Sequence, residues 1–158
     1  MKKILVAYFS ASGVTAQLAK RLADAMQADL YEIKPLLAYS KADLNWTDRT
    51  SRSSVEMRDT DCRPPLKNPV PNVAAYHTVL VGFPVWWYRE PSIIDTFVET
   101  CRFNGQTLVP FATSGGSGLG DTAQRLQKLA PKAVVKPGRR FAAQASAQEL
   151  AAWAQSTL

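Results

Sequence analysis

Ile4-Leu5-Val6-Ala7-Tyr8-Phe9 runs straight into Ser10-Ala11-Ser12-Gly13-Val14-Thr15, and this junction decides the fold. The first half is a continuous apolar run with β-branched and aromatic members, the pattern of a strand covered on both faces. The second half is a polar turn. Beyond it Val14, Leu18, Leu22 and Met26 recur at four-residue intervals while Lys20, Arg21 and Asp24 fall elsewhere on the wheel, which predicts an amphipathic helix packed on that strand. Leu30-Tyr31-Glu32-Ile33 then alternates, as a less buried strand at a sheet edge would.

The same alternation continues outward. Thr78 to Phe83 reads as a buried strand, followed by a helix from Pro91 to Cys101 whose apolar face is Ile93, Ile94, Phe97, Val98 and Cys101. Thr107 to Ala112 is a further strand, and Asp121 to Ala130 a helix stopped by Pro131. Ala133 to Val135, resuming near Phe141, is a weak last strand, and Ser146 with Glu149 is a capping-box signature opening a final helix that carries Leu150 and Trp153. Strands alternating with helices predict the α/β class: a three-layer αβα sandwich around a five-stranded parallel sheet, in one domain spanning 1–158. An edge position for the second strand fits the order 2-1-3-4-5. Pro110 cannot donate to a ladder, so a bulge is expected there. From Pro35 to Tyr76 the chain is polar and carries Pro64, Pro65, Pro69 and Pro71; part of it should be helical, with Ser40 a candidate cap for a helix from Lys41, and part should drape over a site.

Composition removes several classes of function. At 46% hydrophobic and 20% charged, the chain is neither disordered nor fibrous. Its net charge of +6 favours acidic partners, yet the Lys and Arg are scattered from Lys2 to Arg140 without a nucleic-acid-binding signature, so no nucleic-acid partner is expected. Cys62 and Cys101 lack the spacing of a redox pair and read as free thiols. The apolar run after Lys2 and Lys3 is too short for a signal peptide, and no run reaches the length of a membrane span, which makes a cytoplasmic location the expectation.

In open parallel sheets ligands bind beyond the carboxyl ends of the strands, near the reversal of strand order. Three segments lie there: Ser10 to Thr15, Pro84-Val85-Trp86-Trp87-Tyr88-Arg89-Glu90, and Thr113-Ser114-Gly115-Gly116-Ser117-Gly118. The first combines hydroxyls with a helix start, whose unpaired N–H groups and dipole hold a phosphate. It lacks the Gly-Lys pair of a nucleoside triphosphate loop and the spaced glycines of a dinucleotide fingerprint, so a terminal monophosphate fits best. The second offers aromatic surface to a flat ligand. The third permits close backbone approach. Taken singly, each has a plainer reading: a Ser-capped turn, an aromatic loop folded onto the core, a glycine-rich connection. Together they are the parts required by a phosphorylated planar cofactor.

The Ser/Thr-x-Ser/Thr-Gly-x-Thr pattern after the first strand, the Pro-x-Trp loop after the third and the glycine-bearing loop after the fourth resemble those of flavodoxins, particularly the shorter ones with a Thr-Ser-Gly-Gly-Ser-Gly third loop. The resemblance covers nearly the whole chain. It implies a flavodoxin-like fold and non-covalent FMN, with Ser10, Ser12, Gly13, Val14 and Thr15 on the phosphate and Pro84, Val85, Trp86, Trp87 and Tyr88 lining the isoalloxazine. Thr113, Ser114, Gly115, Gly116 and Ser117 would meet the pyrimidine edge or ribityl chain. The flavin carries the electrons, so no catalytic side chain is implied. Two features depart from electron-carrier flavodoxins: the third loop has no aromatic residue, and the chain is basic rather than acidic. The expected role is an electron carrier, a monomer or weak dimer working with a redox partner protein or a small-molecule donor and acceptor. The alternative is a small FMN-dependent NAD(P)H reductase of quinones, azo or nitro compounds.

Other residues have plainer expectations. A receiver-like role needs acidic groups at the strand ends, where Phe9-Ser10 and Phe83-Pro84 stand, and neither cysteine has the loop spacing of a phosphatase. His77 alone cannot make a zinc site and reads as structural. Arg89, Glu90 and Asp95 read as surface charges, Trp46 as packed, Arg49 as solvated and Trp153 as core, with a lid of Trp46 and Arg49 over the ligand as the alternative.

Overall fold

The computed structural model describes residues 2–158. Its strands are β1 (Ile4–Tyr8), β2 (Asp29–Glu32), β3 (Thr78–Pro84), β4 (Thr107–Thr113), β5 (Val134–Val135) and β6 (Arg139–Phe141). Its helices are α1 (Val14–Met26), α2 (Arg52–Arg58), α3 (Ser92–Thr100), α4 (Thr122–Leu129) and α5 (Ala147–Thr157), with a 3₁₀ turn at Val73–Ala75. The sheet order is β2-β1-β3-β4-β5, with β6 also beside β4, and every pairing of these strands is parallel. The central β1 and β3 are buried, whereas the edge strand β2 is largely exposed. That is the contrast expected between a continuous apolar run and an alternating one.

Period-two alternation divides the strand side chains between two layers of core. Leu5, Ala7, Val79, Val81 and Phe83 face α3 and α4 through Ile93, Ile94, Phe97, Val98 and Leu126. Ile4, Val6, Leu80, Val109 and Phe111 face α1 and α5 through Leu18, Leu22, Leu150 and Trp153. Trp153 is core as expected, standing edge-on to Phe111 and Phe141 at 6.0 and 5.3 Å. Val14 departs from its helical pattern. At 40% exposed it belongs to the rim, because the first turn of α1 projects past the end of the sheet.

Pro110 sits in an unbroken β4, paired with Val81, and the irregularity falls on its other neighbour. The Leu108 carbonyl accepts from Lys136 N–H at 3.0 Å, so Pro110, two residues on, turns its missing donor toward the same side. There the fifth strand position is interrupted between β5 and β6. Gly138 approaches the Pro110 carbonyl so closely that any Cβ would collide with it. The expected bulge is thus a break in the partner strand.

Two expectations about helix starts part company. Ser146 caps α5 by accepting from Glu149 N–H at 3.1 Å. Ser40 exchanges hydrogen bonds with Asp43, at 2.9 and 3.1 Å, but the chain makes only a turn over 41–44. The helix of this region is α2, capped by Ser51. His77 is structural, with Nδ1 2.7 Å from the Thr78 hydroxyl, and both cysteines are free.

Candidate functional site

The three loops converge at the carboxyl ends of β1, β3 and β4. The Thr15 and Thr113 hydroxyls lie 2.8 Å apart and buried, joining the first loop to the third. Val85 N–H donates to the Thr113 carbonyl at 3.1 Å, joining the second to the third. Gly13 turns the chain into α1 at φ 94°, a conformation that favours glycine. Its N–H is satisfied by Ser10 Oγ at 3.1 Å, but no side chain caps α1. The first-turn donors therefore face the rim with the positive end of the helix dipole behind them.

Trp86 to Arg89 forms a two-residue hairpin closed by reciprocal backbone hydrogen bonds of 3.0 and 3.1 Å. Trp87 and Tyr88 at its tip have φ of 48° and 64°, the left-handed region, where side chains cost about 1–2 kcal/mol each. The aromatic run is split by this geometry. Trp86 turns inward, edge-on to Phe9 at 5.6 Å and Tyr39 at 5.4 Å, whereas Trp87 and Tyr88 are 42% and 73% exposed.

Two cavities open on the rim. One, of about 460 Å³, is lined by Ser12, Val14, Pro84, Thr113, Ser114 and Gly115, and on its far side by Ala142, Ala143 and Gln144. The other, of about 440 Å³, is lined by Val85, Trp86, Trp87, Tyr88 and Ser117, and faces Leu44, Trp46 and Ser53. Gly116 lies in the same loop as Gly115, and a Cβ on either would meet open space. Arg140 fixes this loop by donating to the Ser114 carbonyl at 2.8 Å. Leu44, Ser53 and the residues from 142 to 144 were not foreseen in the lining, because no local pattern marks a loop that arrives from elsewhere; Trp46 was expected there only as the alternative lid residue. Trp46 is 73% exposed rather than packed, and Arg49 is exposed.

Beneath the hairpin lies the clearest departure from expectation. Glu90 and Asp95 are fully buried, not surface charges. Arg125 donates to Glu90 at 2.9 Å and to Asp95 at 3.2 Å, and the Thr122 hydroxyl to Glu90 at 3.0 Å. Arg63 and Arg89 each stand 3.9 Å from Asp95. Arg89 also donates to the Met57 carbonyl at 2.8 Å, tying the hairpin to α2. Burial, and next the neighbouring Glu90 carboxyl, push the Asp95 carboxyl up to about 8. Beside this network Tyr39 donates to Glu56 at 2.5 Å, with the Arg52 guanidinium 3.9 Å over its ring; burial first, then Glu56, raise the Tyr39 phenol. These groups anchor the segment that carries Trp46 to the body of the protein.

The family model for flavodoxins matches residues 3–157. This chain is a member of the flavodoxin family. Two crystal structures, of provisionally assigned flavoproteins from Bacteroides uniformis and Bacteroides eggerthii, are each 44% identical to it. They cover 98% and 99% of the chain and 98% of their own, with TM-scores of 0.91 and 0.92. A flavoprotein from Lactobacillus acidophilus solved in complex with FMN is 22% identical over 89% of this chain and 93% of its own, with a TM-score of 0.71, and shares the fold. Among curated proteins none matches. As in a flavodoxin, the rim stands at the reversal of strand order, between β1 and β3. Among the described residues no helix is long and apolar enough to cross a membrane.

Proposed function

We propose that this flavodoxin-family chain binds FMN without covalent attachment and carries electrons through it between a redox partner protein, or a small-molecule donor, and an acceptor. The observation that carries the reading is the joining of all three loops at one rim by the Thr15–Thr113 and Val85–Thr113 contacts. The residues fit the cofactor in kind. Uncapped α1 donors with the Ser10, Ser12 and Thr15 hydroxyls suit a phosphate, in a stretch with no acidic side chain from Ser10 to Thr15. Pro84 to Tyr88 offer a planar ring an apolar wall, and Thr113 to Ser117 offer amides and hydroxyls to its polar edge or to the sugar chain. Bound flavin supplies the one- and two-electron chemistry. The protein's contribution is to hold the phosphate, orient the ring against the hairpin and set the local charge.

One observation favours a reductase as the second reading: the loop from Thr113 to Gly118 has no aromatic residue, so from that side a ring would be open to a hydride donor or a quinone-like acceptor. The first test is the absorption and fluorescence of protein mixed with FMN and desalted. A retained flavin band with quenched emission is expected, and passage of all flavin into the salt fraction would overturn the assignment. Steady-state turnover with NADH and NADPH then separates carrier from reductase, since a carrier shows negligible direct turnover.

A further inference from the structure

We propose that the stretch from Leu44 to Ser53 forms the second wall of the ring pocket, with the Ser53 hydroxyl as a hydrogen-bond partner of the bound ring's polar edge and the Trp46 indole as a stacking face. The inference rests on the FMN reading above.

The observation that points to a ligand is Ser53 itself. Its side chain is 2% exposed, lines the cavity opposite the Trp86–Tyr88 hairpin, and its Oγ has no hydrogen-bond partner. Buried hydroxyls are almost always partnered, and here the neighbouring serines are: Ser51 and Ser54 bond to each other at 2.9 Å, and Ser54 also donates to the Asp48 carbonyl at 2.8 Å. The Ser53 backbone is fixed by its N–H on the Asp43 carbonyl at 3.0 Å. Among the described residues the other orphaned buried oxygen, Asp95 Oδ1, belongs to the charged cluster beneath the hairpin and is not part of this cavity's lining. Of these two orphaned groups among the described residues, Ser53 is the one beside the ring cavity.

Trp46 supplies the second half of the argument. An indole 73% exposed is a poor arrangement for a free surface, yet it shares the cavity wall with Trp86, Trp87 and Tyr88. The loop carrying it is held in shape by Asn45, which accepts from Thr47 N–H at 3.2 Å, and by the Ser40–Asp43 exchange. A cavity of about 440 Å³ between aromatic walls with one free hydroxyl is within the range for a planar organic ligand, and a fused ring with polar atoms on one edge satisfies both features. Trp46 thus offers a ring an aromatic face from the Leu44–Ser53 side, leaving the side of the third loop open.

The test compares FMN and riboflavin affinities, by flavin fluorescence, for wild type, Ser53→Ala, Trp46→Ala and, as control, Lys128→Ala at an exposed position of α4. Loss of one hydrogen bond predicts about fivefold to tenfold weaker binding of both flavins by Ser53→Ala. Its ligand-free melting temperature should be unchanged or raised, because an unsatisfied buried group is removed. A serine with only a structural role would lower that temperature instead. Trp46→Ala should weaken both flavins about tenfold and restore part of the flavin emission, while Lys128→Ala behaves as wild type. If wild type binds and both variants match it in affinity and quenching, this inference alone falls. Failure of wild type to take up FMN would overturn it together with the assignment of the cofactor.

Discussion

Replacing Arg125 by Met should destabilise the protein by about 3 kcal/mol, more at high pH than at low. Arg125 holds two fully buried carboxyls, 2.9 Å from Glu90 and 3.2 Å from Asp95, and Met keeps the length of the side chain without its charge. Removing one partner of a buried pair costs about 3–5 kcal/mol, and the 27% exposure of the Arg125 side chain places this case at the low end. The pH dependence follows from Asp95, whose folded carboxyl is raised from 3.8 to about 8. Between those values the folded state holds a proton that the unfolded state has released, so stability falls as pH rises through the window and levels off above about 8. Without Arg125 the carboxyl loses a cation that lowers its pKa, so the window extends upward and the cost of the substitution grows with pH. Urea unfolding near pH 6 and near pH 9 measures both quantities, and a fall of roughly 6–12 °C in melting temperature should accompany the loss. A cost below about 1 kcal/mol, or one that shrinks as pH rises, would refute the reasoning.

Three further outcomes are expected. Thr15→Glu puts a carboxylate among the α1 donors and breaks the contact with Thr113, so FMN affinity should drop at least roughly 100-fold while riboflavin, lacking the phosphate, suffers far less in the same titration. Tyr88→Gly relieves the left-handed strain at an exposed hairpin tip and should raise ligand-free stability by about 0.5–1 kcal/mol in a urea melt. The net charge of +6 favours the more negatively charged reduced flavin, so redox titration of the loaded protein should give a midpoint potential less negative than that of acidic flavodoxins.

The layers were legible in the sequence because burial writes itself into local pattern. Ile4 to Phe9 and Val79 to Phe83 are continuous apolar runs and lie at the sheet centre, and the paired signals of Ser146 and Glu149 start α5 where they should. The clustering of Ser10–Thr15, Pro84–Tyr88 and Thr113–Ser117 followed from topology alone, since parallel strands must end on one side. What escaped depended on partners distant in sequence. Arg-Glu-Pro-Ser at 89–92 has the look of a solvated helix start, and it is Arg63 from the loop after α2 and Thr122 and Arg125 from α4 that, with Arg89, allow Glu90 and Asp95 to be interior. Trp46 was expected to be packed, with a place in a lid as the alternative, and the structure leaves its indole exposed on the rim. Ser53 carried no signal at all, because an unmet hydrogen bond is a property of surroundings and not of sequence.

The interruption beside Pro110 bears on how these molecules behave in a crowd. A long, uninterrupted outer strand would present a row of free amides and carbonyls onto which a second chain could add. Here that border is cut into pieces of two and three residues, with Lys136, Pro137 and Gly138 between them. No template of useful length remains on that side, which should keep the protein dispersed at high concentration and discourage fibre growth from this margin.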